Sequence, residues 1–203
     1  MHELLPKLRL PESISSYLSD PVVRKAVDSL LAENADGLPS SLEISELASY
    51  FRARAAALAV KYDMIIVLEE LWSAIWSEHL HGWSCDNEWR EALDPDTVWE
   101  DRDFWFKHVR SGYEFWTAIE LEAPVEGNDP ELRLYCSLIR TTENVELLET
   151  VLTQFQLTDD EHDWPEWMRM ERAITINASG VSDLSEAKAV AGSVYECVRR
   201  QIS

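Results

Sequence analysis

Glycine is scarce in this chain, with 6 residues among 203, and the glycines are scattered along it. Neither the G-x-x-x-x-G-K-S/T pattern nor the G-x-G-x-x-G pattern occurs, so the loops that cradle phosphate in the common nucleotide-binding folds are not encoded. The hydrolase pattern G-x-S-x-G is also absent. These absences exclude several large enzyme families, and we expect neither catalytic residues nor a cofactor.

Cysteine and long apolar runs are lacking as well. The three cysteines, Cys85, Cys136 and Cys197, are far apart, which does not suit a disulfide framework and favours a reducing compartment. The most apolar stretch, residues 55–75, is interrupted by four charged side chains that a bilayer centre would penalise. The N-terminus lacks the basic segment and apolar run of a secretory signal. We therefore expect a soluble cytoplasmic protein without a membrane partner.

Basic residues are few, because 18 Lys and Arg face 38 Asp and Glu, for a net charge of −20. Between Asp86 and Glu166 there are 22 acidic and 6 basic residues, a net charge of −16, and all nine tryptophans lie between Trp72 and Trp167. Such a surface repels nucleic-acid phosphates and attracts basic proteins. We expect a basic protein partner and no direct binding of nucleic acid.

The length and the apolar content suit a single α+β domain over residues 1–203, with a helical part at 1–82 and a sheet-containing part at 83–203. Asp20-Pro21 predicts the start of a first helix, because Asp caps helices and Pro fits their first turn. A long helical region is predicted from the capping-box spacing of Ser40 and Glu43 to about Leu80. A break near residues 50–55 would divide this region into two helices.

The period of the apolar residues changes after residue 96. Alternation predicts three antiparallel strands joined by short turns, at 97–109, 113–123 and 131–140. A helix, a fourth strand and a final helix follow at 142–155, 168–176 and 182–202. The resulting order is αβββαβα, with a helical N-terminal half packed on a three- to four-stranded, mainly antiparallel sheet and a C-terminal helix.

Three potential metal ligands, His79, His81 and Cys85, lie within seven residues at the end of the long helical region. These are residue types that zinc prefers. A fourth ligand would come from Asp86, His162 or Cys136. The two histidines point about 200° apart on a continuing helix, so they converge only where the helix has ended. We favour the alternative, in which the histidines cap helix-terminal carbonyls and Cys85 packs in the core.

Paired carboxylates on the predicted strands are a second candidate site. Glu120 and Glu122 share one strand face, and Asp101 and Asp103 share another, which would suit Mg²⁺ or acid–base chemistry. The order helix, three strands, helix, strand over about residues 42–176 resembles the core of the PD-(D/E)XK nuclease superfamily. The resemblance implies a metal-dependent nuclease that needs an acid on one strand and acid-x-Lys on the next. Because Glu131-Leu132-Arg133 opens the third strand without that lysine, the alternatives are a metal-dependent hydrolase or an inactive relative.

The segment 159–167 is the strongest candidate for a binding site, because it places five carboxylates around two indoles. Its candidate partner-binding residues are Asp159, Asp160, Glu161, Asp163, Trp164, Glu166 and Trp167. Indoles bury a large area with few rotatable bonds, and a rim of carboxylates selects a partner rich in Arg or Lys. The alternative is a solvated loop whose tryptophans cover the edge of the sheet.

Three functions remain compatible with these patterns. We favour a non-enzymatic binding module that docks on a basic protein, as an inhibitor, an immunity protein, an antitoxin or a nucleic-acid mimic does. This hypothesis accounts for the charge, the clustered tryptophans and the missing catalytic motifs together. The metal-dependent hydrolase is one alternative, and a homo-oligomeric assembly subunit with aromatic residues at its interface is the other.

Overall fold

The computed structural model describes residues 7–32, 43–85, 98–99, 102–110, 113–122, 130–139, 167–177 and 180–202. The chain order of the elements is β1 (Lys7–Arg9), α1 (Glu12–Ser19), α2 (Pro21–Ala32), α3 (Ile44–Trp76), a 3-10 turn (Ser77–His79), β2 (Ser84–Cys85), β3 (Asp103–Arg110), β4 (Tyr113–Glu122), β5 (Glu131–Ile139), β6 (Trp167–Thr175), β7 (Val181–Asp183) and α4 (Ser185–Ile202). The predicted α+β class, with a C-terminal helix, is confirmed. No described helix is long and apolar enough to cross a membrane.

The first predicted helix is α2, and it begins where the sequence indicates. The Asp20 carboxylate accepts a hydrogen bond of 2.8 Å from the backbone N–H of Val22, and Pro21 is the first helical residue. The shorter helix α1 was not predicted. It buries Ile14 and Leu18, the second of which lies directly before the Ser19-Asp20 boundary. The two helices are therefore separated by Asp20 alone.

The predicted break near residues 50–55 is wrong, because α3 runs without interruption over 33 residues. Neither proline nor glycine occurs in it, and Ala53 and residues 55–57 form an alanine-rich stretch in which helix propensity is highest. A capping box closes its start, since the Glu46 side chain accepts from the Glu43 backbone N–H at 3.1 Å. At about 1.5 Å per residue, α3 is about 50 Å long.

Within the described residues the large sheet has five strands in the order β2-β3-β4-β5-β6, and each neighbouring pair is antiparallel. The prediction of three to four strands missed β2, whose two residues are too short for an alternating pattern. The predicted strand 97–109 is shorter in the structure, because residues 98–99 are helical and Arg102 has a positive φ of 54° before β3 begins. The predicted helix at 142–155 lies outside the described residues.

A second, two-stranded sheet joins the ends of the described chain. In it β1 pairs with β7, with Lys7 opposite Asp183 and Arg9 opposite Val181. The final helix accordingly begins at Ser185 rather than at 182, because Asp183 accepts hydrogen bonds from the backbone N–H and the hydroxyl of Ser185 at 2.8 and 2.6 Å. These strands of three residues carry no periodicity from which they can be predicted.

The core lies between the helices and one face of the large sheet. From α3 it receives Leu68, Leu71, Ile75 and Trp76, from α4 Ala187, Ala191, Val194 and Val198, and from the sheet Phe104, Phe106, Phe115, Ile119, Leu121, Leu132 and Leu134. The Trp76 indole donates to the Ala118 carbonyl at 3.3 Å, which fixes α3 against β4. This inner face is buried, whereas Trp105, Trp116, Ala118 and Glu120 on the other face are half-buried.

Candidate functional site

The outer face of the sheet carries every second residue of each strand, and the register aligns these residues in rows. Among the residues whose side chains are described, one row contains Lys107 and Trp116, the next contains Trp105 and Ala118, and a third contains Asp103, Glu120 and Arg133. We call this surface the outer sheet face. It combines indoles with carboxylates, which is the composition that the sequence predicted for segment 159–167.

Two indoles of the outer sheet face contact each other. The ring centroids of Trp105 and Trp116 are 5.0 Å apart, and their planes are inclined by 38°. The Lys107 ammonium lies 5.9 Å from the Trp116 centroid, within the range over which an indole attracts a cation. Both tryptophans are half-buried, so part of each side chain is exposed. The face of an indole is electron-rich, which is why it attracts cations.

Carboxylates surround one guanidinium beside this indole pair. Arg133 forms an ion pair with Glu122 on the neighbouring strand and a longer one, 3.6 Å, with Glu131. The Glu122 and Glu131 side chains are 38% and 43% exposed, so the carboxylates face solvent as well as Arg133. Of the strand carboxylates that the sequence associated with Mg²⁺, Glu122 is thus paired with a guanidinium, which supplies the positive charge that a metal would otherwise bring. Asp101 lies outside the described residues.

The predicted partner-binding segment is only partly within the described chain. Asp159, Asp160, Glu161, Asp163, Trp164 and Glu166 lie outside the described residues. Trp167 is the first residue of β6 and is paired with Ile139. Of the predicted segment, the structure therefore places only Trp167, at the start of β6.

The predicted metal ligands lie on different elements. His79 ends the 3-10 turn, His81 is exposed in the following turn, and Cys85 is in β2 with His108 opposite it. Among the residues that the structure describes, no group of three or more His, Cys, Asp or Glu side chains can hold a metal ion.

The environment of His79 is formed by α4. Its ring lies 5.9 Å from the Tyr195 ring, and its Nε2 is buried 3.6 Å from the Glu78 carboxylate, without a hydrogen bond within the described chain. Lys188 of α4 lies 3.6 Å from the same carboxylate. His79 therefore packs the end of α3 against α4, a contact between distant segments that sequence spacing did not indicate.

A buried polar cluster on the inner face was missed by the sequence analysis. The Trp72 indole donates to the Thr117 hydroxyl at 3.0 Å, and His108 Nε2 lies 3.2 Å from the same oxygen. Burial lowers the pKa of His108 from 6.5 to about 4, so the imidazole is neutral at pH 7. The alternation of Phe104, Phe106 and His108 along β3 was the available signal, because it places the histidine on the apolar face.

No family model, curated protein or solved structure matches this chain. The arrangement of its own residues is therefore the basis on which a function is assigned.

Proposed function

We propose that this chain is a non-enzymatic binding module that docks on a basic surface of another protein. The contact is made by the outer sheet face together with residues 159–167. The partner is one that such a module inhibits or neutralises, as an inhibitor, an immunity protein, an antitoxin or a nucleic-acid mimic does. The widely spaced cysteines favour the cytoplasm as the site of this binding.

The observation that carries the proposal is the position of the Trp105–Trp116 pair on the same sheet face as Glu122 and Glu131. An arginine or lysine of a partner would contact an indole with its cationic group, as Lys107 does within the chain. The carboxylates would accept hydrogen bonds from neighbouring basic side chains, in which charge assistance makes each bond stronger. An aromatic centre with a charged rim is the composition of interface hot spots.

Long-range electrostatics favour the same kind of partner. The segment between Asp86 and Glu166, with its net charge of −16, contains β3, β4 and β5. A surplus of one sign over such a segment raises the rate at which oppositely charged proteins associate, and salt weakens the effect because the screening length falls to about 8 Å at physiological ionic strength. The complex is accordingly expected to be sensitive to salt.

Affinity capture tests the proposal. The wild-type chain, immobilised in a lysate of the cells that express it, should retain a basic protein at about 50 mM salt and release it before about 500 mM. A variant with Glu122→Gln and Glu131→Gln should retain less of that protein, and so should a variant with Asp159, Asp160 and Asp163 changed to Lys. Duplex DNA should displace the partner if its basic surface normally binds nucleic acid.

The matched control removes two carboxylates elsewhere. Glu12→Gln with Glu196→Gln changes the net charge by the same amount at exposed helical positions, and Glu196 is also paired with an arginine, Arg199. The control should retain the partner at the wild-type level. If the control loses as much partner as the outer-face variants, the effect depends only on net charge. If a verified complex is weakened by none of the variants, the proposed contact is refuted.

A further inference from the structure

Beyond its first residue, Ile44, α3 exposes four large apolar side chains along one face. Phe51, Leu58, Tyr62 and Ile66 are each between 39% and 56% exposed, and we call them the α3 stripe. Their spacing of seven, four and four residues places them within an arc of about 80° on the helix. The side chains of α3 that enter the core, among them Ala57, Met64, Leu68 and Leu71, occupy the opposite face. The stripe is therefore an apolar surface that the core does not use.

Charges of opposite sign lie at the two ends of the stripe. Arg52 and Arg54 are near its N-terminal end, and Glu69 and Glu70 follow its C-terminal end. Arg52 and Glu70 are 18 residues apart, which is about five full turns, so they lie on the same flank of the helix. Arg54 lies on the other flank, and Glu69, 18 residues after Phe51, lies in line with the stripe itself. The stripe thus has two bases at one end and two acids at the other.

When a second α3 lies antiparallel to the first, its acidic end meets the basic end of the first helix. We propose that α3 pairs with the α3 of a second copy of this chain, in antiparallel orientation and with Tyr62 at the two-fold axis. Leu58 and Ile66 are each four residues from Tyr62, so Leu58 of one copy lies opposite Ile66 of the other. A two-fold axis brings equal surfaces together and makes every contact twice.

The charges select this register. With Tyr62 at the axis, Arg54 lies within about one residue of Glu69 of the second copy, and Arg52 lies about 3 Å along the axis from its Glu70. Because an antiparallel two-fold pair matches each flank with the same flank of the other helix, both contacts join opposite charges. An alternative register centred on Ala55 would also pair apolar residues, but it would bring the arginines of the two copies together.

The paired segment runs from Phe51 to Ser73, about 34 Å of helix in each copy. In the dimer, eight large apolar side chains, four of them aromatic, would be removed from contact with water. Aromatic residues contribute most area to such interfaces. A contact formed by one helix per copy lies at the small end of stable interfaces, which need about 1,000 Å² in total. The dimer is therefore expected to dissociate on the order of micromolar concentration.

Complementary charge variants test the pairing and its direction together. One variant, Arg52→Glu with Arg54→Glu, carries only acidic residues at the two ends of the stripe. The other, Glu69→Arg with Glu70→Arg, carries only basic residues there. Sedimentation should show a concentration-dependent change of the wild-type mass from 23.4 kDa to twice that value. Each variant alone should remain monomeric, and an equimolar mixture should form a dimer that contains one copy of each.

Two further substitutions separate the stripe from general effects. Tyr62→Glu should abolish the dimer, whereas Val22→Glu, which introduces the same acid at an exposed apolar position of α2, should leave it intact. A wild-type chain that stays monomeric up to hundreds of micromolar would overturn the proposal. The proposal would also be overturned if each charge variant alone still formed a dimer, or if the mixture of the two variants stayed monomeric. Because the α3 stripe is on a helix and not on the outer sheet face, these results do not depend on the proposed docking function.

Discussion

The imidazole ring of His108 lies almost parallel to the indole ring of Trp72, with 5.8 Å between the centroids and 13° between the planes. The histidine is 3% exposed, and both rings hydrogen-bond through the Thr117 hydroxyl. A polar contact thereby joins α3 to β3 and β4 inside an otherwise apolar core. Because a buried polar group without a partner costs about 1–3 kcal/mol, each member of this cluster depends on the others.

The lowered pKa of His108 predicts that stability falls in mild acid. The folded pKa of about 4 lies below the unfolded value of 6.5, so the unfolded state binds more protons between these two pH values. The contribution is complete above about pH 6.5 and is lost as the pH falls towards 4, by about 3 kcal/mol in total. His108→Gln should flatten the decrease between pH 7 and 5 in urea unfolding measurements. His81→Gln, at an exposed histidine, should retain the wild-type pH profile.

Removal of the Thr117 hydroxyl should leave His108 Nε2 without its partner, while the Trp72 indole keeps its hydrogen bond of 3.3 Å to the Thr117 carbonyl. Thr117→Val keeps the shape of the side chain but removes the oxygen that Trp72 Nε1 contacts at 3.0 Å. We expect a loss of about 1–3 kcal/mol in the free energy of unfolding, measured by denaturant titration. Thr117→Ser retains the hydroxyl and should be closer to the wild type. A valine variant that is as stable as the wild type would show that the hydrogen bonds through the hydroxyl do not contribute.

Gly192 and His79 should be energetically coupled. A Cβ atom at position 192 would lie 3.1 Å from His79 Cε1, which is too close for an unstrained contact. Gly192→Ala improves helix propensity by about 1 kcal/mol, but the contact with His79 opposes this gain. The substitution should therefore stabilise the chain more in a His79→Ala background than in the wild type. A double-mutant cycle from thermal unfolding measures the difference, and additive effects would contradict the contact.

The continuity of α3 can be tested at Ala53, within the segment where the sequence predicted a break. Ala53→Gly at this exposed helical position should cost about 1 kcal/mol of stability, and Ala53→Pro about 3 kcal/mol or more. Ala53→Gln, a good helix former, should be nearly neutral. Circular dichroism during urea unfolding gives all three values. A neutral glycine variant would be the result expected of two separate helices.

Part of the fold was predictable because it depends on neighbours in the chain. The Asp20-Pro21 start of α2 and the strands β3 to β6 follow from capping and from alternation, which are local in sequence. The uninterrupted α3 was less predictable. The average length of protein helices favoured a break, whereas the composition of this segment favoured a continuous helix. The pairing of β1 with β7 was not predictable at all, since residues 7–9 and 181–183 are far apart in sequence.

The candidate surfaces also depend partly on local sequence and partly on tertiary packing. The sequence by itself determined the surplus of acidic residues, the clustered tryptophans and the helical spacing of the α3 stripe, because these are properties of composition and period. Only the tertiary structure decided that Trp105 meets Trp116, that Arg133 lies among strand carboxylates and that the α3 stripe faces outward. The reason is that strand register and the choice of the buried helix face depend on packing between distant segments, which no local pattern encodes.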